Sequence, residues 1–283
     1  MKLDYPEPTL FAVPLFIVSM LVESRFLGRD AAKERALLGY ERRDTVASLG
    51  LGIGSLFFVT PINLGTFVIA SLLWPLRLAD LGTGPLAWGV ALVGWDFLFY
   101  WHHRAEHRVR LLWACHVNHH SSEHFNLSTA LRQPWTPVAT WLFYPLLALV
   151  GVAPWIIMFA GGLNLIYQFW VHTELVGRMP RWFEAVLNTP SHHRVHHGSN
   201  ALYIDKNYAG ILIVWDRLFG TFQVEEERVV FGLTKNIETF NLFRIAFHEY
   251  VDIARDVWRL PGAKNKLLAV FGPPGAAFHE SPK

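Results

Sequence analysis

Four apolar segments divide the chain, and they predict helices that lie in or cross a membrane. Residues 9–22 are apolar but short for a span, because a transmembrane helix needs about 20 residues. Residues 46–74 carry no charge and suit either one tilted span or a shallow hairpin broken at an internal proline. Residues 85–101 are apolar except for Asp96. Residues 135–171 are uncharged and interrupted by VGVAP, which predicts a helical hairpin with arms of about 17 residues.

The segments between and after these runs are polar or amphipathic. Residues 23–45 form a charged stretch with six Lys or Arg. Residues 203–224 hold a compact apolar core but are too short and too charged at their ends to span a bilayer. Apolar residues recur at helical spacing over 240–258, which predicts an amphipathic helix. Residues 263–283 are rich in Pro and Gly, so we expect a poorly ordered tail.

The basic stretch orients the predicted spans. The positive-inside rule places residues 23–45 in the cytoplasm. If 46–74 crosses once, 85–101 returns and 135–171 goes in and comes back, so the polar regions that follow lie at the cytoplasmic face. If 46–74 instead formed a full hairpin that enters and leaves on one side, the later polar regions would lie on the opposite face of the membrane. The predicted fold is all-α, an integral membrane helical bundle of about 4–5 spans with a cytosolic helical cap.

Composition supports a membrane protein and argues against nucleic-acid binding. Hydrophobic residues make up 52% of the chain and charged residues 17%, whereas about a quarter of a soluble domain is charged. The formal net charge of +2 lacks the basic footprint of a nucleic-acid-binding protein. The single cysteine, Cys115, excludes an internal disulfide and a cysteine-rich zinc module.

Clustered histidines are the main chemical signal in the sequence. The pattern H-x-x-H-H occurs at 116–120 and again at 193–197, and H-x-x-x-H occurs at 103–107. Residues at i, i+3 and i+4 lie on one helix face, and imidazole is a ligand for Zn, Cu, Fe and Ni. Because one catalytic ion needs three or four such ligands and an open position, eight to ten histidines fit two ions. The predicted ligands are His103, His107, His116, His119, His120, His172, His192, His193, His196 and His197. His192 is included because it shares a helix face with His196.

Three further polar residues are predicted to orient the ligands rather than bind metal. Carboxylates near a ligand can accept its second ring N–H and so set the tautomer, with an ordinary solvated acid as the alternative. Asp96 is notable because an ionisable group inside an apolar span is costly. Glu106 and Asn118 are the other candidates. For Cys115, a small buried thiol is favoured over a thiolate ligand.

No competing catalytic motif is present in the sequence. The patterns H-E-x-x-H, G-x-S-x-G and the P-loop are absent. The glycines of LGLGIGSL, residues 49–56, lie in an apolar run without a strand–helix context, so they indicate close helix packing.

Several segments resemble the fatty acid hydroxylase/sterol desaturase superfamily of integral membrane di-iron enzymes, closest to its alkylglycerol monooxygenase subgroup. They are DFLFYWHHRAEH, LWACHVNHHSSEHFNLSTALRQ, QFWVHTE and NTPSHHRVHHGSNALYIDKNYAGILIVWDRLFGTF. The resemblance covers residues 95–275. It implies transmembrane helices beneath a cytosolic cap that carries a di-iron centre, and chemistry in which O₂ and two electrons hydroxylate or desaturate an unactivated C–H bond of a lipid.

The same resemblance implies the cofactors and partners. The superfamily's histidine motifs match His103, His107, His116, His119, His120, His193, His196 and His197, with His172 and His192 as additions. The resemblance thus implies two Fe ions as the metal cofactor and O₂ as the co-substrate. The reductant stays open: tetrahydrobiopterin serves the animal members of the subgroup, and an electron-donor protein is the alternative. The expected partners are a lipid substrate and the bilayer, with no nucleic acid.

We therefore predict a membrane-bound di-iron lipid oxygenase, with cleavage of an alkylglycerol ether as one candidate reaction. Alternatives are a sterol or lipid desaturase with the same metals, a non-catalytic metal-binding or metal-transporting membrane protein, and a zinc hydrolase. Transport predicts ligands inside the spans and on both faces, and a hydrolase needs a carboxylate base among the ligands. The predicted organisation is a transmembrane region over 1–94, a catalytic region over 95–245 that includes hairpin 135–171, and a helix and tail over 246–283.

Overall fold

The computed structural model describes residues 8–27 and 36–276, and this part of the chain is helical, as predicted. No β-strand occurs among these residues, where a single antiparallel bridge joins Leu187 and Leu212. The helices are α1 (Pro8–Phe26), α2 (Arg42–Leu73), α3 (Pro85–Arg108), α4 (Arg110–His120), α5 (Thr140–Phe143), α6 (Leu147–Val150), α7 (Pro154–Trp170), α8 (Arg181–Glu184), α9 (Pro190–His196), α10 (Val214–Leu218), α11 (Leu242–Arg259) and α12 (Ala263–Phe271). Three 3₁₀ turns lie at Trp74–Leu76, Thr129–Leu131 and Tyr144–Leu146.

Two of the helices are long and apolar enough to cross a membrane. They are Pro8–Phe26, with 19 residues, and Arg42–Leu76, with 35 residues. The first exceeds the apolar run at 9–22 because its helix continues through Glu23, so the segment is not too short. The second stays continuous through Pro61, and the hairpin alternative for 46–74 is therefore wrong. The exposed large apolar side chains of α2 indicate a surface that faces a bilayer.

The predicted hairpin over 135–171 is only half correct. Its second arm, α7, has the expected 17 residues. Its first arm is an apolar stretch from Thr140 to Val150 that consists of α5, a 3₁₀ turn and α6. Pro145 lies in that turn, and proline cannot supply the N–H that a continuous α-helix needs. The first arm is therefore too short to cross a bilayer as one regular helix.

Helix α3 carries the chain from the apolar core to the histidines. Its 24 residues extend about 36 Å. Small residues such as Ala87 and Ala91 are fully buried in its contact with α7, and Trp95 stacks on Tyr144 with ring centroids 4.2 Å apart. This packing sets the position of the last turn of α3, where His103 and His107 lie.

The glycines of residues 49–56 allow close helix packing, as predicted. A Cβ on Gly54 would lie 2.5 Å from the Trp135 ring, and a Cβ on Gly50 would lie 2.8 Å from Leu242 of α11. The indole Nε1–H of Trp135 donates to the Leu51 carbonyl at 2.9 Å. Helix α2 is thereby joined to both the loop after α4 and the C-terminal region.

The C-terminal region is more ordered than expected. The amphipathic helix predicted over 240–258 is present as α11, which buries Ile245 and Ile253. The tail is not wholly irregular, because α12 occupies Ala263–Phe271; residues 277–283 lie outside the described part of the chain. The Arg110 guanidinium ties both helices to α4, pairing with Asp256 of α11 at 2.7 Å and donating to the Ala269 carbonyl at 3.3 Å. The domain boundaries expected at 94/95 and 245/246 fall inside α3 and α11.

Candidate metal centre

Nine of the ten predicted ligands converge into two adjacent groups that could each hold a metal ion. Within each group the candidate ligand atoms lie within 4.8 Å of one another. The first group is His103 and His107 of α3, His116 and His120 of α4, and His196 of α9. The second group is His119 of α4, His172 just after α7, His193 of α9 and His197 at the end of α9.

Each H-x-x-H-H motif contributes to both groups. His116 and His120 of α4 enter the first group, whereas His119 between them enters the second. Side chains at i and i+4 point within about 40° of each other, but i+3 is about 100° from i+4, at 100° per residue. In the motif of α9 the assignment is reversed, with His196 in the first group and its two partners in the second. The two motifs therefore interlock rather than each supplying one ion.

The spacing between imidazole nitrogens fits ligands that share an ion. In the first group the Nε2–Nε2 distances are 2.9 Å, 3.1 Å and 3.1 Å for the pairs His103–His116, His116–His120 and His120–His196. In the second they are 3.1 Å, 2.9 Å and 3.2 Å for His119–His172, His172–His193 and His193–His197. With metal–nitrogen bonds near 2.1 Å, ligands about 90° apart are separated by roughly 3.0 Å and tetrahedral ones by roughly 3.4 Å. The buried Nε2 of His107 has no hydrogen-bond partner, as expected of a ligand atom.

Backbone carbonyls hold the outer nitrogens of the rings. The Nδ1–H of four ligands donates to a carbonyl, which leaves Nε2 as the acceptor that faces the group. The pairs are His103 with Tyr208 at 2.8 Å, His172 with Gln168 at 2.8 Å, His196 with Lys206 at 3.0 Å and His119 with Arg132 at 3.3 Å. The sequence contained no signal for these contacts, because any residue type can supply a carbonyl.

The histidines are neutral because they are buried. Burial lowers the pKa of His119, His120 and His197 well below the usual value, with smaller contributions from neighbouring imidazoles. Burial also lowers the pKa of His172, to about 4. A neutral imidazole has the free lone pair that a metal requires, so the site is prepared for metal at neutral pH.

The three residues predicted to orient the ligands occupy different positions. Glu106 is close to the candidate ligand His116, with its Oε2 at 3.6 Å from Nδ1, and burial raises the pKa of its carboxyl well above the usual value. Asn118 instead donates from Nδ2 to the Gln133 carbonyl at 2.9 Å. Asp96 lies farther away, where it accepts hydrogen bonds from the Ile211 and Leu212 N–H groups, the Trp215 indole and the Asn164 amide, at 2.7 to 3.0 Å.

His192 is the predicted ligand that the structure does not bring to either group. Its Nε2 lies 4.0 Å from the Glu184 carboxylate, and its ring contacts Phe222 with centroids 5.3 Å apart. His192 lies in the first turn of α9, about 100° around the helix from His193. Although it precedes His196 by four residues, its ring packs beside Glu184 and Phe222 instead of joining the first group, so its prediction as a ligand is wrong.

Sequence reasoning did not identify several residues that contact the ligands. Trp113 lies beside His107 and His120, at ring centroid distances of 5.0 Å and 5.4 Å. Phe125 lies 5.1 Å from the ring of His197. Arg132 is buried, donates to Asp44 of α2 at 3.1 Å, and offers its own carbonyl to His119. Trp113 and Phe125 have ordinary core-forming types, and an arginine such as Arg132 is usually exposed, so only the tertiary positions of these residues reveal their contacts.

A cavity of about 1170 Å³ opens beside the first group. Histidines 107, 120, 196 and 197 form its inner end. Its outer walls come from α11 and the loop before it. The site is thus reachable by a molecule larger than O₂.

The comparisons with known proteins agree with this geometry. Residues 88–221, which contain all nine histidines of the two groups, match the family model described as Fatty acid hydroxylase. The chain is 42% identical over 279 residues to alkylglycerol monooxygenase of Homo sapiens, covering 96% of this chain and 60% of that protein. The Danio rerio alkylglycerol monooxygenase is 49% identical over 189 residues, covering 66% of this chain and 42% of that protein. Lathosterol oxidase of Mus musculus is 26% identical over 162 residues, covering 51% and 50%.

The alignment leaves part of the relatives uncovered. The chain spans 60% of the length of the human protein. No solved structure matches the chain. The matched residues include both histidine groups, so the similarity to the fatty acid hydroxylase family extends over the whole candidate metal centre.

Proposed function

We propose that the protein is a membrane-bound di-iron oxygenase that hydroxylates an unactivated C–H bond of a lipid. The observation that carries the proposal is the pair of buried, neutral, all-imidazole groups at the ends of apolar helices. Imidazole binds iron well, and two adjacent sites suit reactions that need more than one electron. The similarity to monooxygenases and to the fatty acid hydroxylase family supports this reaction class.

The proposed substrate is an alkylglycerol ether, because the relatives that align over most of this chain are alkylglycerol monooxygenases. One oxygen atom of O₂ enters the C–H bond beside the ether oxygen, and the other leaves as water with two protons and two electrons. The product is a hemiacetal, which separates into an aldehyde and an alcohol. The ether bond is thus cleaved without a hydrolytic base.

The residues of this chain hold, orient and shield the reacting groups. One iron would be bound by the five histidines of the first group and the other by the four of the second. When bound, the irons would supply O₂ activation and electron transfer. The carbonyls of Tyr208 and Lys206 keep His103 and His196 in the tautomer that offers Nε2. The surrounding aromatic rings exclude water, which protects the reaction from side products.

The two electrons come from a donor outside the chain. A reduced pterin such as tetrahydrobiopterin and an electron-donor protein are the two candidates. We propose further that the chain is a multi-pass protein with its metal centre at the cytoplasmic face, since α2 crosses once and hairpin 135–171, whose first arm is too short to cross, enters and leaves the bilayer on one side.

A desaturase remains the second candidate, favoured by the similarity to lathosterol oxidase over half of the chain. The metals and ligands would be the same. The difference would lie in whether the oxidised carbon gains oxygen or loses a second hydrogen. The products therefore separate the two reactions.

Metal and product analysis of detergent-purified protein tests the proposal. We expect iron in both groups, O₂ consumption with an alkylglycerol and a reduced pterin, and ¹⁸O from ¹⁸O₂ in the aldehyde product. His196→Ala and His119→Ala should lose iron and activity. His192→Ala, from the same histidine-rich segment as His196, is the matched control and should keep both. A preparation that binds one zinc per chain and consumes no O₂ with any lipid would refute the oxygenase. A dehydrogenated sterol without incorporated oxygen would favour the desaturase.

A further inference from the structure

The cavity beside the first histidine group has one apolar wall. Phe243, Phe247 and Val251 line it from α11, at i, i+4 and i+8, so they form one stripe along that helix. Phe243 is 65% exposed and Val251 54% exposed, although both belong to a helix packed against the protein. Large apolar side chains left exposed next to a cavity indicate a surface that an apolar ligand covers.

The apolar stripe continues to the bare face of α2. Trp135 contacts Phe243 and Phe247, with ring centroids 5.4 Å and 6.0 Å apart. On its other side Trp135 stacks on Phe58 of α2 at 4.6 Å. Phe58 is 39% exposed, beside Phe57 on the most apolar surface of the protein. One continuous aromatic seam, Phe58–Trp135–Phe243–Phe247, therefore joins the bilayer-facing surface of α2 to the cavity.

Charged side chains also line the cavity. Lys235 lies in the loop before α11, and Arg244, Asp252 and Arg255 lie on α11 itself, where Asp252 and Arg255 pair with each other. The cavity volume of about 1170 Å³ exceeds the roughly 300–1,000 Å³ typical of small-molecule sites. A space of this size that is lined by both aromatic and charged side chains fits an amphiphile rather than a fully water-soluble or fully apolar molecule.

We propose that this cavity binds a single-chain lipid, with its polar head against Lys235 and Arg244 and its alkyl chain along the aromatic seam toward the bilayer. The carbon at the junction of head and chain then lies at the inner end of the cavity, beside His107, His120 and His196. In an alkylglycerol this junction is the carbon next to the ether oxygen. The inference rests on the proposed function for the identity of the reacting carbon, but the location of the lipid can be tested without turnover.

Photolabelling of the metal-loaded protein in lipid nanodiscs locates the lipid. The probe is an alkylglycerol with a diazirine in the first third of its chain, and the labelled peptides are identified by mass spectrometry. We expect labels on Phe243, Phe247 or Val251 that an excess of unlabelled alkylglycerol removes. Labels that fall only on α1 and the outer face of α2, and resist competition, would overturn the proposal.

Two variants give a kinetic test. Val251→Trp fills the cavity beside the apolar wall, and we expect KM for the alkylglycerol to rise and competable labelling to fall, each about tenfold, which corresponds to about 1.4 kcal/mol. Leu267→Trp adds the same ring at an exposed position of α12 that does not line the cavity, and it should change neither. Iron content should be equal in both variants. An unchanged KM in Val251→Trp argues against the location even if lipids are oxidised.

Failure of this inference and failure of the proposed function give different results. Competable labelling of α11 without oxidation of any lipid would support the cavity as a lipid site and refute the oxygenase. Oxidation of alkylglycerols with no label on α11 would support the oxygenase and refute the cavity as the lipid site. The labelling of the unaltered protein decides the location even if a variant fails to fold.

Discussion

His119 and His120 are neighbours in the sequence, but their rings belong to different metal-binding groups. The two ring planes are 90° apart, with centroids separated by 5.6 Å. His120 meets His196 at 3.1 Å between Nε2 atoms, and His119 meets His172 at the same distance. One turn of α4 therefore serves both candidate ions.

This relationship predicts that adjacent substitutions remove different ions. His120→Ala should weaken iron binding in the first group and His119→Ala in the second, so each should lower the iron content by up to half, because a lost imidazole removes one of the bonds that hold the ion. Iron per chain, measured by mass spectrometry after purification in detergent, checks the prediction. His192→Ala should retain all the iron. A loss in His192→Ala equal to the loss in His193→Ala would contradict the separation of His192 from the site.

The buried ion pair between Asp44 and Arg132 should stabilise both the fold and the second metal group. Arg132 donates to Asp44 of α2 at 3.1 Å, and its carbonyl accepts the Nδ1–H of His119. Asp44→Asn leaves a buried guanidinium without its anion, so we expect a destabilisation of about 3–5 kcal/mol and weaker iron binding to the second group. Thermal unfolding in detergent and iron titration measure the two effects. Asp80→Asn, which breaks the exposed Arg77–Asp80 pair, serves as the control and should leave both unchanged.

Asp96 should act through the fold rather than by direct contact with a ligand. Its carboxylate joins α3 to α7 through Asn164 and to the segment after Tyr208 through the Ile211 and Leu212 N–H groups. Asp96→Asn places an amide N–H₂ against donors, which should cost about 1–3 kcal/mol for each unsatisfied group. Because the Tyr208 carbonyl holds His103, iron should also bind less tightly to the first group. Equal thermal midpoints for Asp96→Asn and the unaltered protein would rule out this role.

Acid should destabilise the metal-free protein. Burial lowers the folded-state pKa of His119, His120 and His172, the last to about 4, whereas an unfolded chain titrates its histidines near about 6.5. Below this value the unfolded chain binds more protons, so stability is full above about pH 7 and falls as the pH drops toward 4. Glu106 has a raised pKa and acts in the opposite direction, but the histidines outnumber it.

Thermal midpoints of metal-free protein at pH 8, 7, 6 and 5 would measure this dependence. Added iron should raise the midpoint most at pH 7 and above, because protons compete with the metal for the same nitrogens. A midpoint that rises as the pH falls through 6 would show that the imidazoles are not buried in neutral form.

The sequence patterns predicted which segments are helical and roughly where each helix lies, but not whether each helix is continuous. The uncharged run 46–74 was compatible with one helix or a hairpin, and packing of Gly54 against Trp135 and of Gly50 against Leu242 holds it as the single helix α2. In 135–171, by contrast, the proline-containing first arm is interrupted by a 3₁₀ turn and does not form one helix. Proline restricts the backbone in both segments, and the neighbouring contacts decide whether the helix continues.

The sequence by itself determined that the chain is helical and apolar, and that two H-x-x-H-H motifs and one H-x-x-x-H motif carry its chemistry. Helical geometry also places i+3 about 60° and i+4 about 40° from i, so the three rings of a motif share one helix face. Only the tertiary structure decided which rings meet, because α3 and α4 are docked through partners elsewhere in the chain, as in the contacts of Asp96 with Ile211 and of Arg110 with Asp256. The docking directs His192 away from both groups and brings carbonyls to the outer ring nitrogens. Backbone carbonyls have no sequence signature, so these contacts could not be predicted from residue types.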